Sequence, residues 1–305
     1  VRSFGAEVQA DGYRGSDLTM FSSHLFDGYT IEALAFQRVP NPIVWARRSD
    51  GKLLGMTYLR DQEIWGWPQH DTDGDFGSIC VIPEGTEDHL YAVVEREIDG
   101  VTKKFIERAG SRVNASTAVF LDCYLSYSGV PVSSVGNLWH LEGQSVAIIA
   151  DGFVIANPLR EDSTVYTVVN GSITLPKAYS EISVGLPYMS DVETLDVDSA
   201  QGESIADRKM LVHKVTLKVE KTRGIFVGPA APSDDDVDPI EHLDEPKLRM
   251  DEAYDSPVAL KTGDIDLIIA SRWSKGGRVF IRQIDPLPMA ILAVTPHLTY
   301  ARAGG

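Results

Sequence analysis

Asn41-Pro42-Ile43-Val44-Trp45-Ala46-Arg47-Arg48-Ser49-Asp50-Gly51-Lys52-Leu53-Leu54-Gly55-Met56-Thr57-Tyr58-Leu59-Arg60-Asp61-Gln62-Glu63-Ile64-Trp65-Gly66-Trp67-Pro68-Gln69-His70 reads as three consecutive antiparallel strands. The expected strands cover 43–47, 53–58 and 63–67. Asp50-Gly51 between two apolar runs predicts a tight hairpin of type I′, whose two central residues both need positive φ. Three sequential strands, two of them bearing tryptophan, make a sheet that repeats easily and read as a structural module rather than a catalytic one.

Outward from this stretch the pattern stays β. An alternating run at 31–36 precedes it, and a similar run at 76–82 begins about 45 residues later, within the spacing of propeller blades. Segments 90–95 and 101–108, joined by Asp99-Gly100, repeat the long hairpin, with Trp45 and Tyr91 at equivalent positions. A polar connection is expected at 83–88. The one helix expected in the first half runs from Ser16, as N-cap, to Phe26, with Leu18, Phe21 and Leu25 on one face and Asp27-Gly28 ending it.

Past Arg112 short strands are expected at 117–127, 139–149, 153–156, 165–169, 172–175, 180–186 and 191–195, with turns at Asp151-Gly152 and Asn170-Gly171. In the first of these, Leu121, Cys123 and Leu125 are expected on one side. Residues 200–209 form a polar connector with helical potential, followed by strands at 211–220 and 225–227. Segment 228–250, rich in proline and aspartate, reads as an extended loop. Strands at 264–271 and 278–284 are expected to form a final hairpin around Gly276-Gly277, and 289–295 the last strand. Turn signals this frequent, without helical segments between them, predict a mainly β chain. Its expected form is propeller-like antiparallel blades over 1–112, an incomplete propeller, then a sandwich or barrel-like platform domain over 113–305 with few short helices. The chain enters mid-pattern at Val1 and is expected to be a piece of a longer protein.

Composition narrows the function. Hydrophobic residues make up 43% and charged residues 24%, ordinary for a globular protein, but the formal net charge is −16. That charge argues against a conventional nucleic-acid-binding surface, which is basic, and fits solubility or a surface that repels polyanions. Two cysteines, Cys80 and Cys123, are too few for a disulfide framework, and both lie in apolar stretches that predict buried thiols. No apolar run approaches the roughly 18 residues of a membrane span, and no secretory signal opens the chain.

Motifs that carry chemistry are scarce. His70-Asp71-Thr72-Asp73-Gly74-Asp75 has alternating aspartates, but its glycine comes too early for a calcium loop, so a polar turn between blades is the better reading. Ser49-Asp50-Gly51 lacks the spacing of the aspartate box of propeller sialidases. The histidines at 24, 70, 89, 140, 213, 242 and 297 never reach ligand spacing with a second His or Cys. No nucleophile elbow, Walker loop or dinucleotide loop occurs. Asn114-Ala115-Ser116 and Asn170-Gly171-Ser172 match glycosylation sequons. Trp65 and Trp67 share one strand face, where packing between sheets is favoured over a sugar platform. Ile225-Phe226-Val227 reads as a core strand in preference to a channel constriction. No catalytic, cofactor-binding or metal-binding residue is assigned.

Several phrases, in order along the chain, together resemble the nozzle proteins of short-tailed bacteriophages, also called tail tubular protein B. They are Ser16-Asp17-Leu18-Thr19 to His24-Leu25-Phe26; Pro42-Ile43-Val44-Trp45 with Arg48-Ser49-Asp50-Gly51; Leu54-Gly55-Met56-Thr57-Tyr58; and Trp65-Gly66-Trp67-Pro68-Gln69-His70. Downstream follow Val184-Gly185-Leu186-Pro187-Tyr188, Thr222-Arg223-Gly224, Lys261-Thr262-Gly263-Asp264 and Asp285-Pro286-Leu287-Pro288. Trp67-Pro68-Gln69-His70 keeps the frame of the family's Trp-x-x-His, with proline at the second position. The likeness extends from about residue 11 to 298, as the C-terminal portion of a longer family member.

The resemblance implies a virion structural protein of the phage tail. It further implies a homo-oligomeric ring, hexameric in the family, that contacts tail adaptor and fibre proteins and surrounds a channel through which DNA is ejected without specific binding. It implies no enzyme activity and no cofactor. Six copies would carry on the order of a hundred negative charges, and an acidic lumen lets DNA slide past without sticking. Asp234, Asp235, Asp236 and Asp238 are expected on a channel or rim loop. Two alternatives stand beside this reading: a carbohydrate-binding or depolymerising tail protein on a β scaffold, and another tail hub or adaptor subunit.

Overall fold

The computed structural model describes residues 1–7, 12–59, 62–114, 118–200, 203–235, 237–247, 253, 256–270 and 272–301. Among the described residues strands account for 56% and helix for 4%, in several antiparallel sheets, none closed. The chain divides into two compact units, Val1–Val113 and Asn114–Gly305.

In the first unit, a short hairpin of strands Arg2–Glu7 and Gly12–Asp17 leads into a 3-10 segment, Met20–Leu25. Ser16 therefore lies on a strand, pairing with Ser3, and caps nothing. The Asp17 carboxylate instead accepts the Thr19 N–H at 2.9 Å and the Thr19 hydroxyl at 2.7 Å, which tightens the turn and stops an α-helix from starting at Ser16. Leu18 is buried, but Phe21 points out at 83% exposure, because a 3-10 turn of three residues does not keep the face that an α-helix would.

The next sheet is a meander of Ile31–Gln37, Ile43–Arg48, Leu53–Leu59 and Ile64–Gly66, with Gln69–His70 also pairing on Leu53–Leu59. The connection at Asp50-Gly51 is looser than type I′. Arg47 pairs with Leu53, only Gly51 has positive φ (77°), and the Gly51 N–H reaches the Arg48 carbonyl at 3.1 Å. This is a type I turn closed by a left-handed glycine, the form that longer hairpin loops favour. The Asp50 carboxylate folds back onto Arg48, accepting its Nε–H at 2.8 Å.

A second meander, Asp75–Glu84, Glu87–Ile98 and Val101–Arg108, follows. Its strands run further than the alternation predicts, so only a tight turn at Gly85 remains of the polar connection at 83–88. Here the turn prediction holds: Asp99 and Gly100 have φ of 52° and 71°, and Ile98 pairs with Val101. The two sheets approach through their first strands, and Trp45, Leu53 and Leu90 are buried together with Ile43, Ile79 and Val81 packed on them. On the other face of the first meander, Leu18, Ala46, Leu54, Met56 and Trp67 form a second cluster.

The second unit holds a sheet built on the long strands Asp122–Val135 and Ile173–Leu186, continued by Ser145–Ala150 and Phe153–Ala156, with Tyr166–Thr167 at its side. Position 117 of the strand expected at 117–127 lies outside the described residues. From Asp122 the expected alternation fails: Cys123 has φ of 40° at a bulge, and Leu125 is left 43% exposed. The strand expected at 139–149 begins instead as a 3-10 turn, Trp139–Leu141, which buries Leu138 and Leu141. Asp151-Gly152 and Asn170-Gly171 are both left-handed pairs in tight hairpins.

A further sheet centres on Lys209–Thr222, flanked by Lys261–Ile268, Trp273–Lys275 and Ile291–Tyr300. Its inner face shares a core with Ile225–Gly228 and Phe280–Gln283, which pair with each other and, through the latter, with Ser190–Glu193. The hairpin expected around Gly276-Gly277 does not form. Trp273–Lys275 pairs with Lys209–Leu211, while Phe280–Gln283 joins the other sheet, so the two glycines carry the chain from sheet to sheet. The connector before Lys209 forms a small hairpin, Ser199–Ala200 with Glu203–Ser204, rather than a helix. Neither cysteine is buried, and the two form no disulfide: Cys80 is exposed on the outward parity of its strand, and Cys123 is half-buried at the bulge. Apolar neighbours in sequence do not bury a strand residue whose own side points outward.

Candidate functional site

The phrases that carry the resemblance meet one another in space. In the first unit Gly55 lies under the Trp45 ring; a Cβ there would sit 2.8 Å from Trp45 Cζ3 and 3.1 Å from His70 Nε2. The Trp45 and His70 rings are 5.4 Å apart between centroids, and the Gly55 N–H donates to the Pro68 carbonyl at 3.0 Å. Trp45 Nε1 donates to Gln37 Oε1 at 3.0 Å, so the indole is buried without an unmet donor. Burial, with Arg112 nearby, pushes the His70 imidazole down to about 4, while Asp71 opposes this. Trp67 is buried too, its Nε1 donating to the Leu18 carbonyl at 2.8 Å, and Trp65 packs on the same cluster. Trp45 packs on one face of the first meander, and Trp67 with Trp65 on the other.

The aspartate-rich turn after His70 is organised by a cation of the chain itself. Arg96 is 2% exposed at the inward parity of Glu87–Ile98, beside Val94 and Ile98. Its guanidinium pairs with Glu107 at 2.8 and 2.9 Å, donates to Thr72 Oγ1 at 2.7 Å, and reaches the Asp73 carbonyl. The turn thus lends oxygens to a buried arginine. Asp50 plays a similar part for Arg48, which also donates to the Leu25 carbonyl at 2.9 Å and stacks 3.9 Å over the Tyr29 ring.

In the second unit the acidic run lies in a segment, Pro229–Lys247, without named strands among its described residues. Asp234 and Asp235 are exposed, Asp238 is half-buried, and Asp236 lies outside the described residues. The Asp238 N–H donates to the Asp234 carbonyl at 3.1 Å, and Asp238 Oδ1 accepts the Ile240 N–H. Asp235 is tied inward: Arg282, 2% exposed, donates to it at 2.6 Å, to Asp191 at 2.6 and 2.7 Å, and to the Pro239 carbonyl at 2.9 Å. Burial opposes the Arg282 charge, but Asp191 and Asp235 more than offset it and raise the guanidinium above its ordinary value.

A second knot holds the other end of this segment. Asp285 accepts from Asn157 Nδ2 at 3.0 Å and from Arg160 at 2.8 and 2.6 Å, and Arg160 also pairs with Glu245 at 2.9 Å. Next to it Arg223 N–H meets the Pro288 carbonyl at 3.2 Å, Thr222 exchanges hydrogen bonds with Ala290, and Lys221 N–H donates to Thr262 Oγ1 at 3.0 Å. Three of the downstream phrases therefore converge here.

These clusters neutralise charge inside the chain. Their carboxylates accept from arginines and backbone amides, which holds loops onto sheets and leaves the buried guanidiniums fully paired. Histidines elsewhere are similarly engaged, His140 with the Cys123 carbonyl at 2.8 Å and His297 with Thr216 at 2.9 Å. Among the described residues no group of three or more His, Cys, Asp or Glu could hold a metal ion, and no helix is long and apolar enough to cross a membrane. The run Ile225-Phe226-Val227 is buried throughout, a core strand. Sequence reading missed the buried arginines as organising centres. For Arg96 the signal was present: Leu90, Ala92, Val94, Arg96 and Ile98 share one parity, which places a charge on the buried side. No family model and no curated protein matches the chain.

Proposed function

We propose that the chain is the C-terminal portion of a nozzle protein of a short-tailed bacteriophage, a structural tail subunit that assembles into a ring around a DNA channel. The observation that carries this reading is the role of the resemblance phrases. Trp45, Gly55, Pro68 and His70 interlock in one unit, and Thr222, Arg223, Thr262 and Pro288 converge in the other. Such phrases encode a framework, as expected for a family whose members share architecture rather than a reaction.

Further support comes from the first unit. Two antiparallel meanders that approach through their first strands are what neighbouring propeller blades look like, and the two sheets sharing one core in the second unit suit a sandwich-like platform. Paired, internally neutralised arginines suit a stable scaffold, and the net charge of −16 suits a lumen that does not hold DNA. On this reading the exposed Asp234 and Asp235 lie on the channel or rim.

The test is negative-stain electron microscopy and native mass spectrometry of the purified chain with its full-length counterpart. Closed rings with a central hole support the proposal. A strictly monomeric full-length protein at micromolar concentration would overturn it.

A further inference from the structure

Trp139 stands on the surface of the second unit. It is 62% exposed, on a loop tied down by backbone hydrogen bonds on both sides. Leu138 and Leu141 on either side are fully buried. The Leu138 N–H donates to the Gly171 carbonyl at 2.9 Å, the Gly143 N–H to the Val168 carbonyl at 3.0 Å, and His140 bonds the Cys123 carbonyl. The indole lies flat on the Asn170-Gly171 turn: a Cβ at Gly171 would fall 2.5 to 3.0 Å from Cδ2, Cε2 and Cε3, the fused edge of the ring. One ring face is therefore pressed on backbone and the other is open.

The rim is polar. Glu142 accepts the Asn170 N–H at 2.8 Å and the Gly171 N–H at 2.6 Å, which fixes its carboxylate beside the ring's support and leaves lone pairs on both oxygens. Asn170 is exposed at the tip of the turn. A rigid indole face resting on a turn that also carries the Glu142 carboxylate and the exposed Asn170 matches a ligand with one flat C–H face and hydroxyls around its edge. A pyranose ring has that form. The carboxylate and the chain's net negative charge disfavour nucleobases on a phosphate backbone and acidic glycans.

We propose that Trp139, Glu142 and Asn170 form a stacking subsite for a neutral hexose of a polysaccharide. The subsite stands whether the chain is a nozzle subunit or not, so its failure and the failure of that reading are separable.

The experiment is affinity electrophoresis of the chain in native gels containing dextran, laminarin or galactomannan, comparing wild type, Trp139→Ala and Trp273→Ala. Trp273, 51% exposed on another sheet, controls for loss of any surface tryptophan. Far-ultraviolet circular dichroism checks that each variant keeps its sheet content. The expected result is retardation of wild type and of Trp273→Ala by at least one polymer, with apparent affinity about tenfold weaker in Trp139→Ala, the loss of one aromatic stack. Absence of retardation in all three gels overturns the proposal. So does equal retardation of Trp139→Ala. A change in oligomeric state of Trp139→Ala by light scattering, with polysaccharide retardation unchanged, would assign the surface to a protein contact instead.

Discussion

At the residue scale, Gly55 and His70 carry the most specific consequences. Gly55→Ala places a methyl group 2.8 Å from Trp45 Cζ3, and neither the buried indole nor the strand beneath can yield without breaking the Trp45–Gln37 bond. Gly66→Ala, in a strand of the same sheet, meets nothing within 4 Å. Urea unfolding should show Gly55→Ala destabilised by about 2 kcal/mol and Gly66→Ala within roughly 0.5 kcal/mol of wild type. Equal effects would mean that the Trp45 contact is not what fixes glycine at position 55. For His70, the folded imidazole titrates near 4 and the unfolded one near 6.5. Its neutral burial is harmless above 6.5. As the pH falls from 6.5 towards 4 the unfolded chain takes up the proton first, and stability is lost across that window and no further below it. The loss is on the order of 3 kcal/mol, and His70→Gln should abolish that part of the pH dependence of thermal unfolding. A wild-type profile that stays flat from pH 7 to 4 would contradict this.

At the scale of elements, the arginine knots decide where loops lie. Arg282→Met removes the Asp235 ion pair and the Pro239 hydrogen bond that fasten the acidic segment to Phe280–Gln283, together with the Asp191 pair, while keeping much of the buried volume. The expected outcome is faster cleavage near Asp234 to Glu241 by a glutamate- and aspartate-specific protease, with loss of about 2 kcal/mol or less in overall stability, because Asp191 and Asp235 are partly exposed and can return to water. Unchanged cleavage kinetics would show that the segment is held by other contacts. These knots also mark where sequence stops being informative. The meanders were legible because alternation and Asp-Gly turns are local signals, and Asp99-Gly100 adopts the expected turn. Gly276-Gly277 misled because the same dipeptide can fold a hairpin or carry the chain between sheets, and only the distant partners of Trp273–Lys275 and Phe280–Gln283 distinguish them. The helix at Ser16 failed for a similar reason: pairing of Ser16 with Ser3 outweighed a favourable cap. Of the proposed channel loop, the acidity was legible, but the inward pull on Asp235 depends on an arginine nearly fifty residues away in sequence.

At the scale of the whole molecule, charge and framework point the same way. A chain of net charge −16 should bind double-stranded DNA weakly, and lowering the salt should not strengthen the binding as it does for proteins that displace counterions from phosphates. Filter binding between 50 and 200 mM salt checks this; a steep rise in affinity at low salt would place basic rather than acidic surface against DNA. The central claim, that the chain belongs to the end of a phage tail and works as architecture, is tested most directly by gold-labelled antibody against it on intact particles viewed by negative-stain microscopy. The account predicts label at the distal tip of the short tail. Label on lateral fibres or spikes would contradict it and turn attention to a glycan-directed tail protein.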